Sequence, residues 1–170
     1  PGAPLHYTID IAIATETEAP VKHVLPAGKR NGRQERGAGW YRGDLHSHTD
    51  HSDAGERTVT DLIAAAQDVG LDFLFVTDHN TTSSLAALET IDSGDLLVAG
   101  GMELTTFWGH ALVLGTRRWI DWRFRPGDGA IERVAMNAGA AGELFIIAHP
   151  IAGGDPLCTG CAWRFGELMP

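Results

Sequence analysis

The chain has 170 residues, 44% hydrophobic and 21% charged, with a formal net charge of −9. That length suits one domain with a sizeable core, the acidic balance argues against non-specific binding to nucleic acid, and no apolar run reaches the roughly 18 residues that span a bilayer. Neither a charged n-region nor an apolar h-region follows Pro1, so no signal peptide is expected; the chain reads as soluble, cytoplasmic or exported with its signal removed.

Leu5, Tyr7, Ile9, Ile11 and Ile13 alternate with polar or small residues, which predicts a half-buried strand. "PAGKRNGRQERGAG", Pro26 to Gly39, has four glycines and four basic residues without periodicity and predicts a loop or linker. Residues 1–38 are therefore expected to be a separate N-terminal β-strand and Gly/Arg-rich loop ahead of a domain over 39–170. "WYRGDLHSHT" predicts a short strand. "TVTDLIAAAQDVG" predicts a helix with Thr58 or Thr60 near its N-cap and Gly70 as its stop. "LDFLFVTDHN" is a buried strand and "TSSLAALETI" a short helix. "DLLVAGGMELTT" and "GHALVLGT" are strands, "GDGAIERVAMNAGAAG" a helix capped by Asp128, and "LFIIAHP" a last apolar strand. Strands alternating with helices imply parallel βαβ units. Trp119 and Trp122, in "RRWIDWRFRP", are expected in a packed surface loop. Cys158 and Cys161 are spaced C-x-x-C. Two thiolates cannot complete a four-ligand zinc site, so the expectation there is a turn with small, partly buried thiols.

The stretch "RGDLHSHTDHSDAG" sets Asp44, His46, His48, Asp50, His51 and Asp53 within ten residues, three of them from a total of eight histidines. His46 and His48 have the period of two that puts both rings on one face of a strand. The turn after them can bring Asp50, His51 or Asp53 back toward the same rim; Asp53 is favoured because "SDAG" is turn-forming, with His51 as competitor. Asp78 and His79 close one strand pattern, Glu103 another, His110 opens the next segment and His149 closes the last. Sites in parallel α/β barrels form at carboxyl strand ends, so one rim is expected to collect these side chains. Glu103 has two oxygens and can bridge two cations. Imidazoles with carboxylates suit zinc, iron or manganese better than calcium, and Asp44 and Asp78 are candidates to orient the histidines.

"DLHSHTDHSD", "VTDHN", "GMELTT" with "GHALVLG", and "IIAHP" resemble the successive motifs of the PHP (polymerase and histidinol phosphatase) superfamily. "GWYRGDLHSHT" and "CTGCAW" are similar to its carbaryl-hydrolase-like branch. The resemblance covers about residues 39 to 165. It implies an α/β fold, a distorted (β/α)7 barrel, with two or three divalent transition-metal ions (Mn, Zn or Fe). His46, His48 and Glu103 would hold the first ion, Glu103, His110 and His149 the second, and Asp53 and His79 the third. Glu103, His110 and His149 are the catalytic candidates. The family's last motif, D-x-H, has no counterpart before Pro170, and about five of the seven barrel strands are recognisable.

The expected activity is metal-assisted hydrolysis of a phosphate ester, since metal coordination brings the pKa of water from 15.7 toward ~7 and no G-x-S-x-G nucleophile elbow occurs. Hydrolysis of a carbamate or carboxylic ester at the same site is the alternative, and a non-catalytic metal-binding module is the third reading. The expected partner is a small-molecule ester, with no nucleic acid and no membrane. A second chain or a further C-terminal segment is expected to complete the barrel.

Overall fold

The computed structural model describes residues 39–152 and 160–166. The strand expected at Leu5–Ile13, the Gly/Arg-rich loop up to Ala38, and Cys158 lie outside the described residues. The elements are β1 (Gly43–Ser47), α1 (Val59–Asp68), β2 (Phe73–Val76), α2 (Leu85–Leu88), β3 (Leu97–Thr106), β4 (Gly109–Leu114), α3 (Ala130–Ala141) and β5 (Leu144–Ala148). They form a mixed α/β structure around one five-stranded sheet of order β1-β2-β3-β4-β5.

The sheet is parallel only in its first half. β1, β2 and β3 run parallel, whereas β3–β4 and β4–β5 are antiparallel. The expectation of parallel units throughout is thus corrected. Only Phe107 and Trp108 separate β3 from β4, and a parallel return needs a crossover of a dozen or more residues. A two-residue link can only make a hairpin.

Local signals set the helices. Thr58 caps α1, its side chain accepting from the Asp61 backbone N–H, and Gly70 takes φ 70° just past its end. Ten residues make a marginal helix in water, so packing must decide it. Val59, Ile63 and Ala66 supply the packing stripe, buried against Leu74 and Val76 of β2 and against Leu96. α3 differs slightly from expectation. Gly129 occupies its N-cap with no side-chain cap bond, and Asp128, one residue earlier, accepts from the Ala130 N–H at 2.8 Å.

Strand alternation divides the core. Met102, Leu104 and Val113 face outward into a cluster with Phe124, Ile131 and Phe165. Leu112, Leu114 and Ala148 form the other cluster, with Phe75 and Ile146 against them. Glu103 stands opposite Leu112 in the β3–β4 ladder and so shares this second face, as does His110 by its period of two with Leu112. The second face is the concave side of the curled sheet, and the apolar cluster forms a floor beneath the ligand-type residues.

Candidate metal centre

Glu103 is fully buried, and five imidazoles surround it. Its Oε2 lies 2.8 Å from His46 Nε2, 3.2 Å from His48 Nε2 and 3.1 Å from His79 Nε2. Its Oε1 lies 3.1 Å from His110 Nδ1 and 3.3 Å from His149 Nε2. The rings close a circle. Successive centroids lie 4.9 Å apart for His46–His48, 4.7 Å for His48–His79, 5.9 Å for His79–His110, 5.1 Å for His110–His149 and 5.5 Å for His149–His46.

That last distance measures the curl. β1 and β5 are the opposite edges of the sheet, and with strands ~4.8 Å apart a flat sheet would hold them roughly 19 Å from one another. The stacked rings of His46 and His149 require the sheet to wrap as a half-barrel around Glu103.

Local backbone irregularity aims several of these groups. The β1–β2 register slips between Asp44 and Ser47, and the His46 N–H donates instead to Asp44 Oδ1 at 2.9 Å. His149, directly after β5, takes φ 29°, and Asn80, directly after His79, takes φ 52°. Positive φ in a non-glycine residue is a strained conformation that surrounding structure must hold. At Asn80 the restraint is visible: its amide clamps Thr105, donating to the carbonyl and accepting from the N–H at 2.9 Å each.

Asp78, read from the sequence as a group that orients histidines, has another task. Fully buried, it accepts from the Thr49 N–H (2.7 Å), the Thr49 hydroxyl (2.8 Å) and the Ser52 hydroxyl (3.0 Å). It therefore ties the turn after β1 to the end of β2. Asp44 likewise serves the His46 backbone, not a ring. Of the candidates in that turn, Asp53 reaches the centre, with its Oδ1 3.0 Å from His79 Nδ1. His51 turns away to the Ser83 hydroxyl at 2.8 Å.

Electrostatics follow from the packing. Burial pushes the Glu103 carboxyl up, but hydrogen bonds from His110, His46 and His79 outweigh it and hold the group far below the usual carboxylate range. Burial lowers His48. Burial also works against the charged form of His79, yet the neighbouring Glu103 and Asp53 outweigh it and raise that group.

The arrangement fits metal ions on its own chemistry. A carboxylate offers about four lone-pair sites, fewer than the five ring nitrogens crowded within 3.3 Å of it. Neutral rings cannot all donate to it, and charged rings would repel one another in a buried space. His48 Nδ1 and His110 Nε2 are buried with no hydrogen-bond partner among the described residues. Ligand atoms close enough to share an ion group as His46–Glu103–His149 and as His48–His79–Glu103. This grouping pairs the histidines differently from the sets the family resemblance implies. A third group joins His110 and His149 to Cys161. Sequence reasoning gave Cys161 no part near the centre. It is fully buried, with its Sγ 4.0 Å from His110 Nδ1, and it is disulfide-bonded, so it is not a thiolate here. The C-x-x-C spacing was the available signal.

Fold and centre together define a class: an α/β half-barrel with a histidine–carboxylate cluster on its concave face. The PHP domain family model matches residues 44–126, a segment that includes His46, His48, Asp53, His79, Glu103 and His110. The matched segment is just under half of the chain, and it is similar to PHP domains, a family that is typically metal-dependent and hydrolytic. No curated protein matches the chain.

Proposed function

We propose that the protein is a metal-dependent hydrolase of small phosphate esters, and the convergence of five imidazoles on Glu103 carries this reading. His46, His48, His79, His110 and His149 would hold two or three divalent ions, zinc, manganese or iron, with Glu103 shared between ions and Asp53 serving His79. Such ions polarise a phosphoryl oxygen and make water acidic enough to ionise near neutral pH.

The chain's own residues do the rest. Glu103 keeps its charge under burial because the rings around it outweigh the desolvation. The apolar floor of Leu112, Leu114 and Ala148 excludes water from one side of the centre. His46, His48, His79 and His149 are partly exposed, with side-chain exposures between 17% and 34%, so a substrate can approach from their side. β1 and β5 each pair on one side only among the described residues, and a second chain or further segment that pairs there belongs to this proposal.

The test is turnover of an aryl phosphate, an aryl carbamate and an aryl carboxylate by protein loaded with zinc, manganese or iron. Phosphate cleavage above the others supports the proposal. Preference for the carbamate or carboxylate would replace it with an ester hydrolase at the same site. No turnover with full metal content would leave a binding module.

A further inference from the structure

Glu143 stands immediately after α3 with its side chain only 3% exposed, and neither of its oxygens accepts a hydrogen bond among the described residues. Its position is set by the backbone. Gly142 stops α3 in the left-handed conformation at φ 76°, and the Glu143 N–H donates to the Ala138 carbonyl at 2.9 Å, which tucks the residue under the helix end. The carboxylate thus sits where the helix dipole is negative, and α3 has no basic residue in its last turn. A buried carboxylate in such a place is costly unless a cation or donor meets it.

Glu143 lines a cavity of about 210 Å³ with Arg118, Trp119, Ile120, Val134 and Asn137 around it, and Ile120 and Val134 also pack against the Met102–Leu104–Val113 cluster. Arg118 is the one cation of this lining. Its Nη2 stays 3.7 Å from Glu143 Oε1, and its side chain is 54% exposed, so the pair is a loose one. Apart from the Asn137 amide, the remaining walls are apolar or aromatic. Trp119 is fixed there, its indole N–H donating to the Asn80 carbonyl at 2.9 Å, so one wall is already ordered before any ligand arrives.

We infer that this cavity binds a small organic ammonium ion, its charged end on Glu143 and its short apolar body between Trp119, Ile120 and Val134. The volume suits a chain of a few carbons. The buried carboxylate selects a cation over a neutral isostere, and Asn137 adds a second polar residue to the lining.

The test follows the Trp119 indole N–H resonance in metal-loaded protein, assigned with Trp119→Phe, during titration with n-butylammonium, n-butanol and n-butyrate. The expected result is a saturable shift with butylammonium alone. Glu143→Gln should weaken it at least about tenfold, the scale of losing a charged hydrogen bond. Arg118→Ala should preserve or strengthen it, because Arg118 competes for the same carboxylate. Equal shifts with butanol, a response to butyrate that Arg118→Ala abolishes, or no response to butylammonium at tens of millimolar would each overturn the inference. The isostere comparison is made in the unmodified chain, so it does not depend on either variant folding.

Discussion

Asp53 holds His79 by the nitrogen that faces away from Glu103. Its Oδ1 lies 3.0 Å from Nδ1, while Nε2 points at the buried carboxylate 3.1 Å away. Asp53 is 87% exposed at its side chain, so the orientation of an inner ring depends on an outer, solvated group. Asp53→Asn should weaken metal binding about 10–100-fold, the usual effect of losing a carboxylate that orients a ligating histidine. Calorimetric titration of the metal-free chain with zinc or manganese checks this; unchanged affinity would remove Asp53 from the centre.

Glu103→Gln should be the more severe change. It removes the charge that every ring faces and replaces one oxygen by a donor aimed at imidazoles. Cleavage of an aryl phosphate is expected to fall to background and bound metal to less than about one ion per chain, while Asp53→Asn retains measurable turnover. Steady-state kinetics with elemental analysis compares the two. Equal residual activity would mean that Glu103 is not shared between ions.

His79 and His48 should separate in a proton-resonance titration of the metal-free chain. Burial opposes charge on both, but Glu103 and Asp53 raise His79 while His48 stays lowered. They are expected on opposite sides of the ordinary value of about 6.5. A raised His79 contributes stability that is full below about 6.5 and is lost as pH rises through its folded pKa. His48 acts the other way, with stability gained as pH rises from its folded value toward about 6.5. The depressed Glu103 contributes stability present above about 4.3 and lost as pH falls through its folded value. In Asp53→Asn the His79 midpoint should drop. Coincident midpoints for the two rings in the unmodified chain would contradict this assignment.

Asp78→Ala should destabilise the fold by about 2–4 kcal/mol, because it strands the buried Thr49 N–H and hydroxyl and frees the half-buried Ser52 hydroxyl. Urea denaturation reads the loss as a lower midpoint with an unchanged slope. A change below about 0.5 kcal/mol would mean that solvent reaches those groups.

The residues that meet around Glu103 were legible as candidates because their chemistry is rare and their spacing periodic. His46 and His48 on one strand face, and His110 and His149 beside strand boundaries, needed only the period of two and those boundaries, whereas Glu103, read as closing a strand, stands inside β3 three residues before its end. Strand direction was less legible, since Val113 and Leu112 are buried on both faces and a buried strand reads the same either way. The two-residue link at Phe107–Trp108 held that information. The tasks of Asp44 and Asp78 were not legible. A carboxylate beside a ligating histidine can serve the ring or the backbone, and only the register slip in β1 and the fold of the Thr49–Ser52 turn decide between them. The enclosure of Glu143 depends on α3 meeting the segment after β4, a long-range contact without local pattern.

The stacking of His46 on His149 has a kinetic consequence. One ring leaves the first strand of the sheet and the other the last, so the centre exists only after the whole span between them has closed. Closing so long a loop is entropically slow, and contacts of high sequence separation form late. During refolding, tight ion capture should therefore trail the appearance of helix and strand signal. Its rate should level off with rising ion concentration at the rate of sheet closure.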